Sequence, residues 1–293
     1  MTNYSKHIGA AAICGLLAAC GGGGGDDGPQ TVFNYQTFDS TVPGESRVAA
    51  AGLTRTDPDG EYDGTEVVLG TLERASREIT ISVDHAGNIT GVYNSNTQIW
   101  TDVSGGKVYA NDALTGNFQF ILPVIVEDSD GLDNSYILGV VSRTQDLPIT
   151  PGITTYSGSA IVRGNMSPDG SQPNQSFQSA GDLGLAVDFT SRELTATISE
   201  LTGMPFETVE LRQLEISSGS DATFSLGGGS VVFLRDGSPY TPEIGTILTT
   251  DADGAFFGIE EGSPAEAGGA FAVVGQTGNI YGIFVADELV NTP

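Results

Sequence analysis

Leu17-Ala18-Ala19-Cys20 carries the most definite chemistry in this chain: a thiol directly after one leucine and two small residues, at the end of an apolar N-terminal run. A lipoprotein signal peptidase reads that pattern. Cleavage before Cys20 frees a sulfur and an amine, both of which accept acyl chains. The run before it fits this reading, since Lys6 and His7 form a short polar start and Ile8 to Ala19 adds twelve residues of Ile, Leu, Ala, Gly and Cys14. A membrane span needs about 20 apolar residues, so this is a signal-peptide core. Gly21 to Gly25 follow at once, and no helix continues through them. Each buried methylene of an acyl chain contributes about 0.8 kcal/mol, so the several chains of a bacterial lipoprotein hold it firmly.

Other reactive groups are sparse. Once residues 1–19 are removed, His85 is the remaining histidine, and no Gly-x-Ser-x-Gly elbow exists to partner it. It reads as a surface residue of the turn Asp84-His85-Ala86-Gly87. One histidine and no free thiol fall short of a zinc ligand set. Acids cluster at Asp57/Asp59/Glu61/Asp63, at Glu127/Asp128/Asp130/Asp133 and at Asp251/Asp253. None completes a calcium loop, because the fifth position is Leu132 counted from Asp128 and Ala255 counted from Asp251. These are solvated turns, and neither a metal nor a cofactor is expected. With 37 acids, carboxylate pairs of glycosidase type arise by chance. Trp100, the single tryptophan, reads as a core anchor.

Charge narrows the partners. The processed chain sets ten basic residues, with Lys107 its one lysine, against 37 acids, a net charge of −27. That balance excludes nucleic acid and electrostatic docking on anionic lipid. It leaves the lipid as the hold on the membrane. Cys14 departs with the signal and Cys20 is acylated, so no disulfide supports the fold, which must rest on burial and sheet hydrogen bonds.

The elements that must position any site are strands. Gly21 to Gln30 is a Gly/Asp-rich tether. Beyond it, short β-branched and aromatic runs recur between Gly, Asn, Asp and Pro clusters, with no sustained helical period. Strands are expected near 47–56, 66–72, 78–83, 89–93, 107–109 and 118–126. The acidic, apolar-poor segment Glu127–Asn134 then marks a boundary. Further strands are expected near 136–142, 154–163, 182–189, 193–199, 208–216, either 222–226 or 230–234, and 254–259, 269–274 and 280–286. Leu183, Leu185, Val187 and Phe189 share one face, and Leu194, Ala196 and Ile198 repeat the pattern across the turn Thr190-Ser191-Arg192. Eight or nine such strands suit an up-and-down barrel or a closed sandwich. Their other face is too polar, and too poor in aromatic girdles, for a transmembrane barrel. Gly87–Tyr93 echoes Gly278–Phe284 as a Gly-Asn turn feeding a strand, which similar hairpins explain without duplication.

One hairpin resembles a known family. Gly254-Ala255-Phe256-Phe257-Gly258 followed by Glu266-Ala267-Gly268-Gly269-Ala270-Phe271 is similar to the late barrel hairpin of transferrin-binding protein B and its relatives. Leu147-Pro148 with Gly152–Gly158 resembles that barrel's opening, and Val187-Asp188-Phe189 its third strand. The resemblance covers roughly residues 135–290. It implies an all-β chain whose C-terminal eight-stranded antiparallel barrel, residues 135–293, follows a smaller β-rich region, residues 31–134, with signal peptide 1–19 and tether 20–30. It further implies a lipoprotein on the surface of a Gram-negative outer membrane, with Gly21 and Gly22 after Cys20 consistent with outward sorting. Relatives include receptors for transferrin, lactoferrin and haemoglobin and a binder of complement factor H. The expected activity is therefore non-enzymatic capture of a host or environmental protein, or of an iron or haem carrier, beside an outer-membrane transporter. The alternative is a structural envelope lipoprotein without a dedicated ligand. The chain has one barrel-like region of this kind where the full receptor has two lobes.

Overall fold

The computed structural model describes residues 35–289 except 38–39, 41, 43, 55–61, 63, 74–75, 77, 84–86, 95–98, 103–106, 111–113, 115–117, 128–132, 168–173 and 261, and gives backbone alone for the strand residues within 82–110, 126–127 and 133–134. The fold is nearly all β, in two sheets. The first is a meander of β1 (Glu45–Thr54), β2 (Gly64–Glu73), β3 (Glu78–Val83), β4 (Gly87–Asn94), β5 (Ile99–Asp102), β6 (Lys107–Ala110), β7 (Ile121–Glu127) and β8 (Asp133–Val140). Its ladders run in chain order, and β8 returns to pair with β1 through Val48↔Val140 to Gly52↔Tyr136, closing a ring. Closure removes the exposed edges that an open meander would leave. Val48, Ala50, Val68, Leu72, Ile79, Ile81, Val124, Tyr136 and Leu138 form its core.

The second sheet holds β9 (Thr154–Met166), β10 (Gln175–Asp188), β11 (Glu193–Ser199), β12 (Thr208–Ile216), β13 (Thr223–Ser225), β14 (Ser230–Arg235), β15 (Ser238–Tyr240), β16 (Ile247–Phe257), β17 (Glu266–Gly275) and β18 (Asn279–Glu288). Pairings β9–β10–β11–β12–β13–β16–β17–β18 and back to β9 close an eight-stranded antiparallel barrel. The expected alternation holds: Leu183, Leu185, Val187, Leu194, Ala196 and Ile198 are all 3% exposed or less, in a hairpin of register Val187↔Leu194. Asp188 Oδ1 accepts the amides of Thr190 and Ser191 at 2.9 and 3.1 Å, and Arg192 takes φ +59°, which together set the turn.

Several assignments differ from the sequence reading. Residues 135–140, expected to open the second region, belong to β8, which pairs with β7 and β1 and completes the first ring. The acidic segment lies within the β7–β8 hairpin, so it turns the chain without dividing it. The passage between sheets is 141–153, with a 3-10 turn at Thr144–Asp146. The first region was also expected to have six strands and has β5 in addition, around Trp100, whose side chain lies outside the described residues. In addition, 222–226 and 230–234 are both strands. They divide β12 between them, β13 pairing with Glu215 and Ile216, and β14 with Thr208 to Arg212. No helix among the described residues is long and apolar enough to cross a membrane.

Candidate functional site

The two sheets meet along the outer faces of β1, β2 and β8 on one side and β9, β16, β17 and β18 on the other. On β1 the residues pointing out of the first ring are Arg47, Ala49, Ala51 and Leu53, and on β17 those pointing out of the barrel are Glu266, Gly268, Ala270 and Ala272. Small residues on both sides bring backbones close. A Cβ at Gly268 would meet Ile137 Cγ2 at 2.6 Å, and one at Gly139 would meet Phe257 at 2.5 Å and Ile121 at 2.7 Å. A mixed core of Ala49, Ile121, Ile137, Ile161, Ala255, Phe257, Ile283 and Val285 fills the seam.

Polar groups fasten it. Glu266, 3% exposed, accepts the backbone amides of Gln119, Phe120 and Ile121 at 2.5, 3.0 and 2.9 Å. Burial pushes its carboxyl up to about 7, against the pull of these three donors. Asp253 accepts from Thr65 Oγ1 at 2.8 Å and is pushed up to about 6 by burial, with the charges of Asp251 and Glu66 adding to it. Inside the first ring Tyr136 donates to Glu66 at 2.5 Å. Arg47 pairs with buried Asp221 at 2.6 Å. Tyr35 donates to Asp146 at 2.6 Å and accepts the Arg143 amide at 2.8 Å, while Arg143 grips Asp146 with two guanidinium nitrogens at 2.7 and 3.0 Å. Burial and the Asp146 carboxylate raise the Tyr35 hydroxyl to about 12. Burial alone would raise Asp146, but its bonds to Arg143 and Tyr35 hold it below the ordinary range. These perturbed groups are locked into structural contacts.

Among the described residues, aromatic side chains fill the interior of the second barrel. Tyr156, Phe206, Phe224, Phe256, Phe271 and Phe284 are each 2% exposed or less, and Phe256 stands within 5.1 to 6.1 Å of the rings of Phe189, Phe224 and Tyr156. A cleft on the seam beside Tyr62, Ser135, Arg163 and Tyr281 has a free volume of about 20 Å³, enough for one water.

Two apolar groups stand out on the outer surface. Ile149, Ile153 and Leu289, 87%, 61% and 50% exposed, lie where β9 begins and β18 ends. Ile247 and Leu248, 52% and 63% exposed, open β16 at the opposite end. The barrel wall is incomplete beside them. β16 pairs with β13 only through Asp253, Gly254 and Ala255, while β14 and β15 turn aside on the upper half of β12, so among the described residues no strand pairs with Ile247–Asp251 on the side away from β17. The β14–β15 turn has Asp236 and Gly237 both at positive φ, +52° and +69°, the form a two-residue hairpin needs.

Leu17, Ala18, Ala19 and Cys20 lie outside the described residues, as do His85 and most acids of the first two clusters. Among the described residues no group of three or more His, Cys, Asp or Glu could hold a metal ion. Sequence reasoning did not single out Glu266 as an amide acceptor, though its Glu-x-Gly-Gly-x-Phe setting was visible. It also started β16 at Gly254, passing over the β-branched run Ile247-Leu248-Thr249-Thr250.

No protein-family model and no curated protein matches the chain. Solved structures do. A point mutant of transferrin-binding protein B from Haemophilus parasuis aligns at 15% identity and TM-score 0.49, over 83% of this chain and 45% of that one. Transferrin-binding protein B from serogroup B Neisseria meningitidis aligns at 13% identity and TM-score 0.47, over 83% of this chain and 43% of that one. HpuA from Kingella denitrificans, solved in complex with human haemoglobin, aligns at 16% identity and TM-score 0.40, over 90% and 95%. The chain thus spans less than half the length of those two transferrin-binding proteins.

Proposed function

We propose that this chain is a lipid-anchored outer-membrane lipoprotein that captures a protein ligand at the cell surface, beside an outer-membrane transporter, and that it is a binder and not an enzyme. The observation that carries the reading is the filled barrel. A β-barrel that stores a small molecule keeps a cavity, whereas among the described residues aromatic side chains occupy the interior of the second barrel, which supports a ligand met across a surface. The perturbed carboxylates Glu266 and Asp253 are engaged in hydrogen bonds that hold the two sheets together. The pattern Leu17–Cys20 supplies the anchor and the glycines after it the tether.

The anchor is tested by palmitate labelling of wild type against Cys20→Ala. Incorporation lost in the variant is expected, and equal labelling would remove the anchor from the reading. Exposure is tested by protease treatment of intact cells. Digestion is expected, whereas complete protection would favour a structural lipoprotein facing the periplasm.

A further inference from the structure

We propose that the open edge of β16, Ile247–Asp251, takes up an extended, lysine- or arginine-rich segment of a partner protein as an added strand. The inference deepens the proposed binding function and rests on it. Unpaired edges are normally blunted by lysine, proline, a β-bulge or a covering loop, and of these the described edge carries the irregularity alone. Along Ile247-Leu248-Thr249-Thr250 there is no charge and no proline, all four residues are exposed, and a register shift against β17 between Ile247 and Thr249 is the sole irregularity. The edge exists because β12 gives its upper half to β14 and not to β13, so the wall of the barrel is open beside β16. An added strand would gain main-chain hydrogen bonds from this edge and apolar contact with Ile247 and Leu248.

Charge selects the occupant. From Asp236 to the C-terminus the chain holds nine acids and no lysine, arginine or histidine, with Asp236, Glu243 and Asp251 on the elements flanking the opening. Of the cations on β12 and β14, Arg235 is turned over the Tyr240 ring at 4.0 Å and onto the Pro205 carbonyl, and Arg212 is paired with Glu210. A second copy of this chain, with a net charge of −26, would meet its own field. A basic strand is drawn in by it.

The test uses the full chain and two capped hexapeptides, one alternating Lys and Val, the other Glu and Val. The Lys peptide is expected to bind, to slow amide hydrogen exchange at Ile247–Asp251, and to weaken with added salt. The Glu peptide should bind at least about tenfold more weakly. Leu248→Lys, a change on an exposed side chain, should weaken the Lys peptide about tenfold with an unchanged thermal melt, and Thr250→Arg serves if that variant fails to fold. Protection that maps elsewhere, or binding indifferent to both substitutions, overturns the edge as the site and leaves surface capture standing. Binding of neither peptide also overturns it. So does protection, without peptide, of those Ile247–Asp251 amides that face away from β17, since another segment or a second copy would then cover the edge.

Discussion

Glu266 shows how one side chain can hold two sheets together. Its two oxygens accept three consecutive backbone amides of the segment leading into β7, so removing it strands two buried donors and one part-buried donor. Each unsatisfied buried group costs about 1–3 kcal/mol, and Glu266→Ala should lower unfolding free energy by about 3 kcal/mol or more, read by denaturant titration. The Arg47–Asp221 pair is a weaker fastening. Arg47 is half exposed, while Asp221 is 5% exposed and takes its other bond from Ser220. Arg47→Ala should cost about 1–2 kcal/mol, and Asp221→Ala no more than that, because it leaves no buried charge behind. An Asp221→Ala loss several times larger would show that the carboxylate serves more than this pair.

At the scale of elements, the periodicity of Leu183–Phe189 and Leu194–Ile198 was enough to orient a hairpin, because a two-residue repeat leaves each side chain one face to choose. The seam was harder to read. β1 and β17 are buried on both faces, so their sequences lose alternation and become runs such as Ala49-Ala50-Ala51 and Ala267-Gly268-Gly269-Ala270. The competition of 222–226 and 230–234 for one strand position was also visible, but pairing is non-local and nothing in either run says that β12 serves both. The lipobox residues, the candidate site read most directly from sequence, lie beyond the described residues, and the β16 edge emerged only from topology. Because the seam is built from backbone proximity, Gly139→Ala should act as a wedge. The added methyl meets Phe257, Ile121 and the Phe120 carbonyl at 2.5–2.8 Å, and a loss of about 1–3 kcal/mol is expected by calorimetry. Gly184→Ala on β10, with nothing within 4 Å, should be near neutral and serves as the control.

For the whole molecule, pH acts through the same seam. Glu266 and Asp253 titrate near 7 and 6 in the folded chain against ordinary values of 4.5 and 3.8. The folded state therefore keeps protons that the unfolded chain releases. The stability this contributes is full below about pH 4 and is lost as pH rises through 6 to 7. Relief of the −26 charge by acid acts in the same sense. The melting temperature should be higher at about pH 5 than at about pH 8. Asp253→Asn keeps an acceptor for Thr65 and should shrink the difference, and a difference left whole would assign the effect to Glu266 and net charge. The acid-only stretch that begins at Asp236 has a practical consequence as well. Trypsin cuts beside lysine and arginine, which its acidic pocket recognises, and between Arg235 and Pro293 it finds neither, so β15 to β18 stay on one piece. A trypsin map of intact cells would miss those three barrel strands, β16 to β18, even if they stood fully exposed. A protease that cuts at Asp or Glu would find nine addresses there.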